Sequence, residues 1–326
     1  MLYDNHNRRV NYLRLAVTDR CNLRCFYCMP EEGIKYVKRE QLLSYEEMER
    51  IVTVMASMGI EKVRITGGEP FVRRGMLEFM QRLKQIEGIK KINLTTNGTL
   101  TDGIIPELKK IVASVNLSMD SLNRERFFEM TRRDELPKVL QTLDQLLAND
   151  IPTKINCVVM ANRNTQDILP MVELAKNQPV SVRFIEEMPF NGAGAAEDAA
   201  HWNYRDILSH IKTKYPDIQK IPDPPFSTSA NYQIPNHRGT VGIIAAYSRT
   251  FCGTCNRIRM TPQGILKTCL YDEGVFNLRD ILRAGATNEQ LKTTLLDALG
   301  SRAKDGWEAE QRRTFGVSES MATIGG

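Results

Sequence analysis

No apolar run in the chain approaches the roughly 20 residues that a membrane-spanning helix needs. Residues Met1–Arg9 are polar and lack the apolar stretch of a secretory leader. The expectation is a cytoplasmic protein with no membrane partner. In that compartment thiols stay reduced, and grouped cysteines hold metal more often than they form disulfides. Histidine is scarce, at four residues, so imidazole is in short supply as a metal ligand. Aromatic residues make up only 7% of the chain, the basic residues are spread out and the net charge is +5. A nucleic-acid surface, which interleaves clustered Lys and Arg with aromatics, is therefore not expected. No sequence repeat of solenoid length occurs. At 42% hydrophobic and 25% charged, the 326 residues have the make-up of a globular protein with a substantial core.

The cysteines are few but placed close together. Cys21, Cys25 and Cys28 fall within eight positions, in Cys-Asn-Leu-Arg-Cys-Phe-Tyr-Cys. Cys252, Cys255 and Cys269 form a second group, a CxxC followed by a third thiol. Thiolates suit iron–sulfur clusters, zinc or copper(I). Each group has three thiols and no obvious fourth, so a cubane held this way would keep one iron free for a ligand from outside the protein. Zinc is the rival reading, with His237 as a fourth ligand for the second group. The seventh cysteine, Cys157, lies in the apolar stretch INCVVM and reads as core.

Strand and helix signals alternate through the first two thirds of the chain. Strands are predicted at 12–17, 62–66, 92–96, 114–118, 153–160 and 180–186. Helices are predicted from the Ser44-Tyr-Glu-Glu47 capping box to Met58, and at 76–86, 103–112, 137–148 and 165–176. This rhythm implies parallel βα units. The fold class is α/β: a partial (β/α)6 TIM-like barrel, with a doubly wound sheet as the runner-up. Ligands then bind beyond the C-terminal strand ends, where the first Cys loop, the Gly67-Gly68-Glu69-Pro70 turn, Asn97, Ser118 and Glu186 share one mouth. Residues 1–11 are expected to be flexible, 190–201 to form a loop with no assigned role, and 222–236 to be irregular. Further elements are expected at 204–215 (helix), 241–247 (strand), 277–284 and 287–299 (helices), followed by a charged stretch at 302–313 and a polar tail. The domain division is 1–220 for the barrel and 221–326 for a C-terminal cluster-binding region that covers its open side.

Basic residues recur within these strands. Arg257 and Arg259 are two apart, so at strand period both guanidiniums face one side. Arg14, Lys62, Lys154 and Arg183 lie on or beside barrel strands. Charges alternating with apolar residues imply an interior that needs positive charge, and a polyphosphate is the natural guest.

The Cys21-x3-Cys25-x2-Cys28 spacing with Phe26-Tyr27, and the Gly-Gly-Glu-Pro turn, resemble the radical S-adenosylmethionine superfamily. The second thiol group, Arg257-x-Arg259 and the terminal Gly325-Gly326 narrow this to a resemblance to the GTP 3′,8-cyclase family of molybdenum cofactor biosynthesis. The resemblance implies a lyase with two [4Fe–4S] clusters, on Cys21, Cys25 and Cys28 and on Cys252, Cys255 and Cys269. The first would bind S-adenosylmethionine and yield a 5′-deoxyadenosyl radical. The second would hold the guanine of GTP. Tyr27, Gly67, Gly68, Glu69, Thr95, Asn97, Ser118 and Met188 fall at S-adenosylmethionine positions. Arg14, Lys62, Arg64, Lys154, Arg183, Arg257 and Arg259 fall at GTP positions. Arg257, Arg259, Gly325 and Gly326 belong at the reaction centre. The product implied is 3′,8-cyclo-7,8-dihydro-GTP, consumed by a cyclic pyranopterin monophosphate synthase. A homodimer and an unspecified protein reductant are also implied. Ala322 departs from the family, which often has a polar residue there. The alternative within the superfamily is an enzyme with an auxiliary cluster that modifies a peptide or another small molecule. A zinc ribbon binding nucleic acid is the reading from outside it.

Overall fold

The structure is a computed structural model and describes residues 1–190, 201–317 and 319–325. Most of the predicted loop at 190–201 therefore lies outside the described residues. Strands β1 (Tyr12–Ala16), β2 (Lys62–Thr66), β3 (Lys91–Thr96), β4 (Val112–Ser118), β5 (Thr153–Val159) and β6 (Ser181–Glu186) pair in parallel and in chain order. Helices α1 (Tyr45–Met58), α2 (Met76–Gln85), α3 (Ile105–Ile111), α4 (Arg124–Thr131), α5 (Leu136–Ala148) and α6 (Ile168–Asn177) connect them. The Ser44 hydroxyl accepts from the Glu47 amide and the Glu47 carboxylate from the Ser44 amide, so the capping box forms as its spacing predicts.

Strand alternation divides the two faces of the sheet. Leu13, Leu15, Val63, Ile65, Ile92 and Leu94 pack with Ile51, Met55, Phe79 and Leu83 of the helices. Ile155, Cys157, Val182 and Phe184 do the same against Val139, Leu143, Met171 and Val172. The intervening positions carry Tyr12, Arg14, Lys62, Arg64, Asn116, Lys154, Asn156 and Arg183, and these line the barrel interior. A closed TIM barrel fills that space with apolar side chains. Here it is polar and hollow.

The C-terminal region does more than cover the open side. After helix α7 (Tyr204–Lys214) come β7 (Gln219–Lys220), β8 (Ala230–Gln233), β9 (Thr240–Ile244), β10 (Arg257–Met260), β11 (Ile265–Lys267) and β12 (Phe276–Asn277). β9 joins parallel to β6, and β10 joins parallel to β1. The sheet order is β12-β11-β10-β1-β2-β3-β4-β5-β6-β9-β8-β7. Consecutive strands β9 and β10 thus sit at opposite edges of the parallel run, and residues 245–256 must span the opening between them. Helices α8 (Leu278–Arg283), α9 (Asn288–Gly300), α10 (Gly306–Gln311) and α11 (Met321–Ile324) complete the described chain.

Three expectations need correction. Residues 1–11 are ordered, not flexible: Leu2, Asp4 and Val10 are buried, and Tyr3 bridges antiparallel to Arg9. Residues 222–236 are not wholly irregular, because β8 pairs with β9 and the Asn231 side chain donates to Asp223 at 2.8 Å. The strand expected at 241–247 ends at Ile244, where the chain leaves the sheet to cross the opening.

Candidate active site

The first thiol group is built against the turn after β2. The Gly68 amide donates to the Thr18 carbonyl at 2.8 Å, and the Glu69 amide to that of Arg20 at 2.9 Å. A Cβ on Gly68 would lie 2.2 Å from the Arg20 carbonyl oxygen, so only glycine allows this approach. The Glu69 carboxylate faces inward. It accepts from the Asn97 amide at 2.7 Å, Thr96 Oγ1 at 2.9 Å and the Phe71 amide at 3.2 Å. Burial pushes that carboxyl up to about 7. Asn97 Nδ2 donates to Asn22 Oδ1 at 3.0 Å and lies 3.8 Å from the Cys21 sulfur. On the far side of the loop, Tyr27 donates to Asp120 Oδ2 at 2.7 Å.

The second thiol group lies on the segment that spans the opening and on the turn after β11. Glu186 at the end of β6 anchors this crossing: its carboxylate accepts from the Ser248 amide at 2.7 Å and from Ser248 Oγ at 2.8 Å. Arg249 stacks between Tyr271 and Trp307, with its guanidinium carbon 3.6 Å and 3.8 Å from the ring centroids. Cys255 Sγ faces two guanidiniums, Arg302 Nη2 at 3.2 Å and Arg257 Nη2 at 3.4 Å. Arg259 Nη1 donates to the Gly325 carbonyl at 2.8 Å. Gly325 has φ of +78° in α11's cap, and a Cβ there would lie 2.8 Å from Ala16 Cβ. The tail is held further by the Met321 amide on the Phe190 carbonyl at 2.8 Å, and by Ser320 Oγ donating to the Cys28 carbonyl.

Both thiol groups and the basic strand positions line one cavity of about 430 Å³. Its electrostatics follow from packing cations together. Lys154 is held down to about 7, first by burial and then by Arg183, Arg64 and Lys62. Burial raises the Tyr12 phenol, but Arg64, Arg14 and Lys62 outweigh it and bring it down to about 7. Burial and Arg257 hold Arg259 down to about 10. Burial pushes the Cys21 and Cys269 thiols up to about 11, and raises Cys25 and Cys28 as well. Cys255 differs: burial raises it, but Arg257 and Arg302 bring it down to about 6. All seven cysteines are free. Among the described residues, no three His, Cys, Asp or Glu side chains close on a single metal ion.

The residues present fit an iron–sulfur group at each triad. Soft thiols line a wall of the cavity, and a metal supplies the positive charge that the raised thiols need in order to ionise. Buried Asn116 Oδ1, Asn156 Oδ1 and Arg183 Nε on the same cavity have no hydrogen-bond partner among the described residues, as expected of groups that face a ligand.

Of the residues singled out in the sequence, Tyr27, Gly67, Gly68, Thr95, Ser118 and Met188 line this cavity, as do Arg14, Lys62, Arg64, Lys154, Arg183, Arg257 and Arg259 and the six grouped thiols. Glu69 and Asn97 do not. They contact the Cys loop, Glu69 through its amide on the Arg20 carbonyl and Asn97 through Asn22, with Asn97 Nδ2 3.8 Å from the Cys21 sulfur. Arg64 is committed to Tyr12 at 2.6 Å and to the Leu94 carbonyl at 3.0 Å. Gly325 packs against Ala16 and Thr66 with its carbonyl on Arg259, and Gly326 lies outside the described residues. His237 sits before the start of β9, at the other end of that strand from Cys252, with its Nδ1 3.2 Å from the Pro235 carbonyl oxygen. Cys157 is fully buried in the core. Asp120, Asn116, Asn156 and the segment Pro224–Thr228 also line the cavity without having been singled out. Asn116 and Asn156 were findable, because they stand two positions from Ser118 and Lys154 in the same strand alternation.

Fold and site together define a radical S-adenosylmethionine enzyme, and residues 15–175 match the model of the Radical SAM superfamily. Residues 180–307 match the model described as Molybdenum Cofactor Synthesis C. The chain is 38% identical over 335 residues, all of both chains, to the GTP 3′,8-cyclase of Syntrophomonas wolfei. It belongs to the GTP 3′,8-cyclase family of molybdenum cofactor biosynthesis, and a [4Fe–4S] cluster with S-adenosylmethionine is implied by its superfamily. It is also 38% identical over 304 residues to Molybdenum cofactor biosynthesis protein 1 of Drosophila melanogaster, covering 93% of this chain and 54% of that protein. The chain thus spans about half the length of several of the curated relatives it matches. Among solved structures, Streptococcus suis SuiB superposes with a TM-score of 0.63 over 95% of this chain and 70% of that one. At 14% identity, that likeness concerns the fold alone. No described helix is long and apolar enough to cross a membrane.

Proposed function

We propose that the chain converts GTP to 3′,8-cyclo-7,8-dihydro-GTP, using two [4Fe–4S] clusters and S-adenosylmethionine in a cytoplasmic setting. The observation that carries this reading is the single cavity with two thiol triads on its walls and a ring of cations between them. When bound, the first cluster and S-adenosylmethionine supply a 5′-deoxyadenosyl radical. The chain's residues supply position and charge. Gly67 and Gly68 let the β2 turn approach the Cys loop closely. Tyr27, Thr95, Ser118 and Met188, with Glu69 and Asn97 beside the Cys loop, receive S-adenosylmethionine. Arg14, Lys62, Lys154 and Arg183 hold the triphosphate, with Arg64 keeping the Tyr12 phenol among them. Cys252, Cys255 and Cys269 would hold the second cluster, whose free iron would take the guanine. Arg257 and Arg259 stand at the reacting ribose, with Gly325 held there through the Arg259 contact. We take 1–220 as the barrel unit and 221–326 as the unit of the second cluster. A homodimer, a protein reductant and a downstream cyclic pyranopterin monophosphate synthase complete the proposal.

Incubation with GTP, S-adenosylmethionine and a strong reductant should give 5′-deoxyadenosine only when GTP is present. Anaerobically reconstituted protein should carry about eight irons, four per cluster. Stoichiometric zinc with no iron would end this reading, and so would 5′-deoxyadenosine formation indifferent to GTP. Cys252→Ala should keep the first cluster and lose GTP turnover.

A further inference from the structure

The ordered N-terminal segment reaches the second thiol group through one buried arginine. Arg302, just beyond α9, has a side chain 2% exposed. Its Nη1 donates to Asp4 Oδ2 at 3.0 Å and to the Cys255 carbonyl at 3.2 Å. Its Nη2 donates to the Arg257 carbonyl at 2.9 Å and to Cys255 Sγ at 3.2 Å. The Asp4 carboxylate is itself sealed, with its side chain 0% exposed. It also accepts from Arg8 Nε at 2.7 Å and from the His6 and Arg8 amides, each at 2.9 Å. Arg8 donates onward to the Cys252 carbonyl at 3.2 Å. The three thiols are not treated alike. Cys255 is the thiol that receives guanidinium hydrogen bonds, from Arg302 Nη2 at 3.2 Å and Arg257 Nη2 at 3.4 Å.

We propose that Arg302 and Asp4 are positioning residues that set the reduction potential of the group held by Cys252, Cys255 and Cys269, with Arg302 favouring the reduced state and Asp4 opposing it. The inference rests on the reading that these thiols hold a cluster. A cation donating to a ligand sulfur stabilises added negative charge there, and hydrogen bonds to cluster sulfurs and local charge are what tune such potentials. Asp4, on the far side of the same guanidinium, cancels part of that charge. Its own bonds to Arg8 and the His6 amide fix it there, so the first ten residues become part of the metal site's outer layer. A merely structural Arg302 would tie the segment down without giving the two charges opposite effects.

The test is an EPR-monitored redox titration of the anaerobically reconstituted full chain, with the second-cluster signal assigned by its loss in Cys252→Ala. Arg302→Gln should move the midpoint to more negative potential by a tenfold change in the one-electron equilibrium constant, about 59 mV. Asp4→Asn should move it positively, and Arg302→Lys should recover part of the loss. Unmoved midpoints, or shifts of the same sign in Arg302→Gln and Asp4→Asn, would overturn the inference while leaving the cluster reading intact. If Arg302→Gln assembles no second cluster, Asp4→Asn decides alone: a positive shift supports, and no shift or a negative one overturns. A wild-type chain with no signal that depends on Cys252 overturns the cluster reading and this inference with it.

Discussion

Binding of GTP should be accompanied by proton uptake, and the amount can be worked out from the cavity. Without a polyanion the basic strands partly neutralise themselves. Lys154 titrates at about 7 because burial and the cations Arg183, Arg64 and Lys62 disfavour its charge. Tyr12 titrates at about 7 because Arg64, Arg14 and Lys62 favour its phenolate over the opposing effect of burial. At pH 8 about nine-tenths of each is therefore deprotonated. A triphosphate among the same cations reverses both conditions. It gives the ammonium a partner and it repels the phenolate, so both pKa values rise and both groups take up protons. The expected uptake approaches about two protons per GTP at pH 8, falling toward zero near pH 6, where both groups are already protonated. By linkage, affinity should fall as pH rises from 7 to 9, by up to about tenfold per unit for each proton taken up. Calorimetry of GTP binding in buffers of different ionisation enthalpy, at pH 8, measures this directly. Lys154→Met and Tyr12→Phe should each remove about one proton from the uptake. Heats that do not depend on buffer, or an uptake that neither substitution changes, would refute the reasoning.

Gly68→Ala should abolish iron binding at the first thiol group, measured as iron per chain, because its Cβ would lie 2.2 Å from the Arg20 carbonyl oxygen in the Cys loop. Gly325→Ala should leave iron content unchanged, since the atoms nearest its added Cβ belong to Ala16 and Thr66 and not to either thiol group. It should still lower turnover by roughly tenfold or more, from about 1–2 kcal/mol of left-handed backbone cost in addition to contact with Ala16 and Thr66. Cys157→Ser should cost about 1–3 kcal/mol in a denaturant titration by placing a hydroxyl in the core, with iron content unchanged. Asp167→Asn should cost about 1.5–3 kcal/mol, because it weakens the charged hydrogen bonds between Arg126 and a buried side chain at 2.7 Å while Arg126 itself stays partly solvated.

What was legible in the sequence was what local periodicity and spacing carry. The alternation in Tyr12-Leu13-Arg14-Leu15 and in Lys154-Ile155-Asn156-Cys157 shows both the strand and its polar inner face. The thiol spacings show two ligand sets, because ligand geometry constrains neighbours in the chain. The Arg302–Cys255 and Asp4–Arg302 contacts have no such signature. They join residues far apart in sequence, and their meaning depends on which side chains are buried together. For the same reason the N-terminal segment reads as flexible: its polar residues look solvated until α9 and the crossing segment cover them. Glu69 was singled out correctly as belonging to the turn, but its direction was not legible. Only the fold shows that its carboxylate is used by Thr96, Asn97 and Phe71.

The position of the second thiol group follows from topology more than from its own loop. A sheet that stops at β6 leaves its edges β1 and β6 apart, with the interior open between them. Had the C-terminal strands been added in sequence to one edge, residues 245–256 could have formed a short turn away from the cavity. Instead β9 is added to β6 and β10 to β1, so the chain between them has to pass across the opening. Cys252 and Cys255 lie on that passage, and Cys269 follows the return strand β11 that is paired to β10. Glu186 fixes one end of the crossing through Ser248, and Arg302 fixes the other through Cys255. The crossing that carries Cys252 and Cys255 is therefore held at both ends by the packed strands and by side chains anchored to them. Loop motion at the second triad is thus resisted by β9 and β10, the strands that flank the crossing.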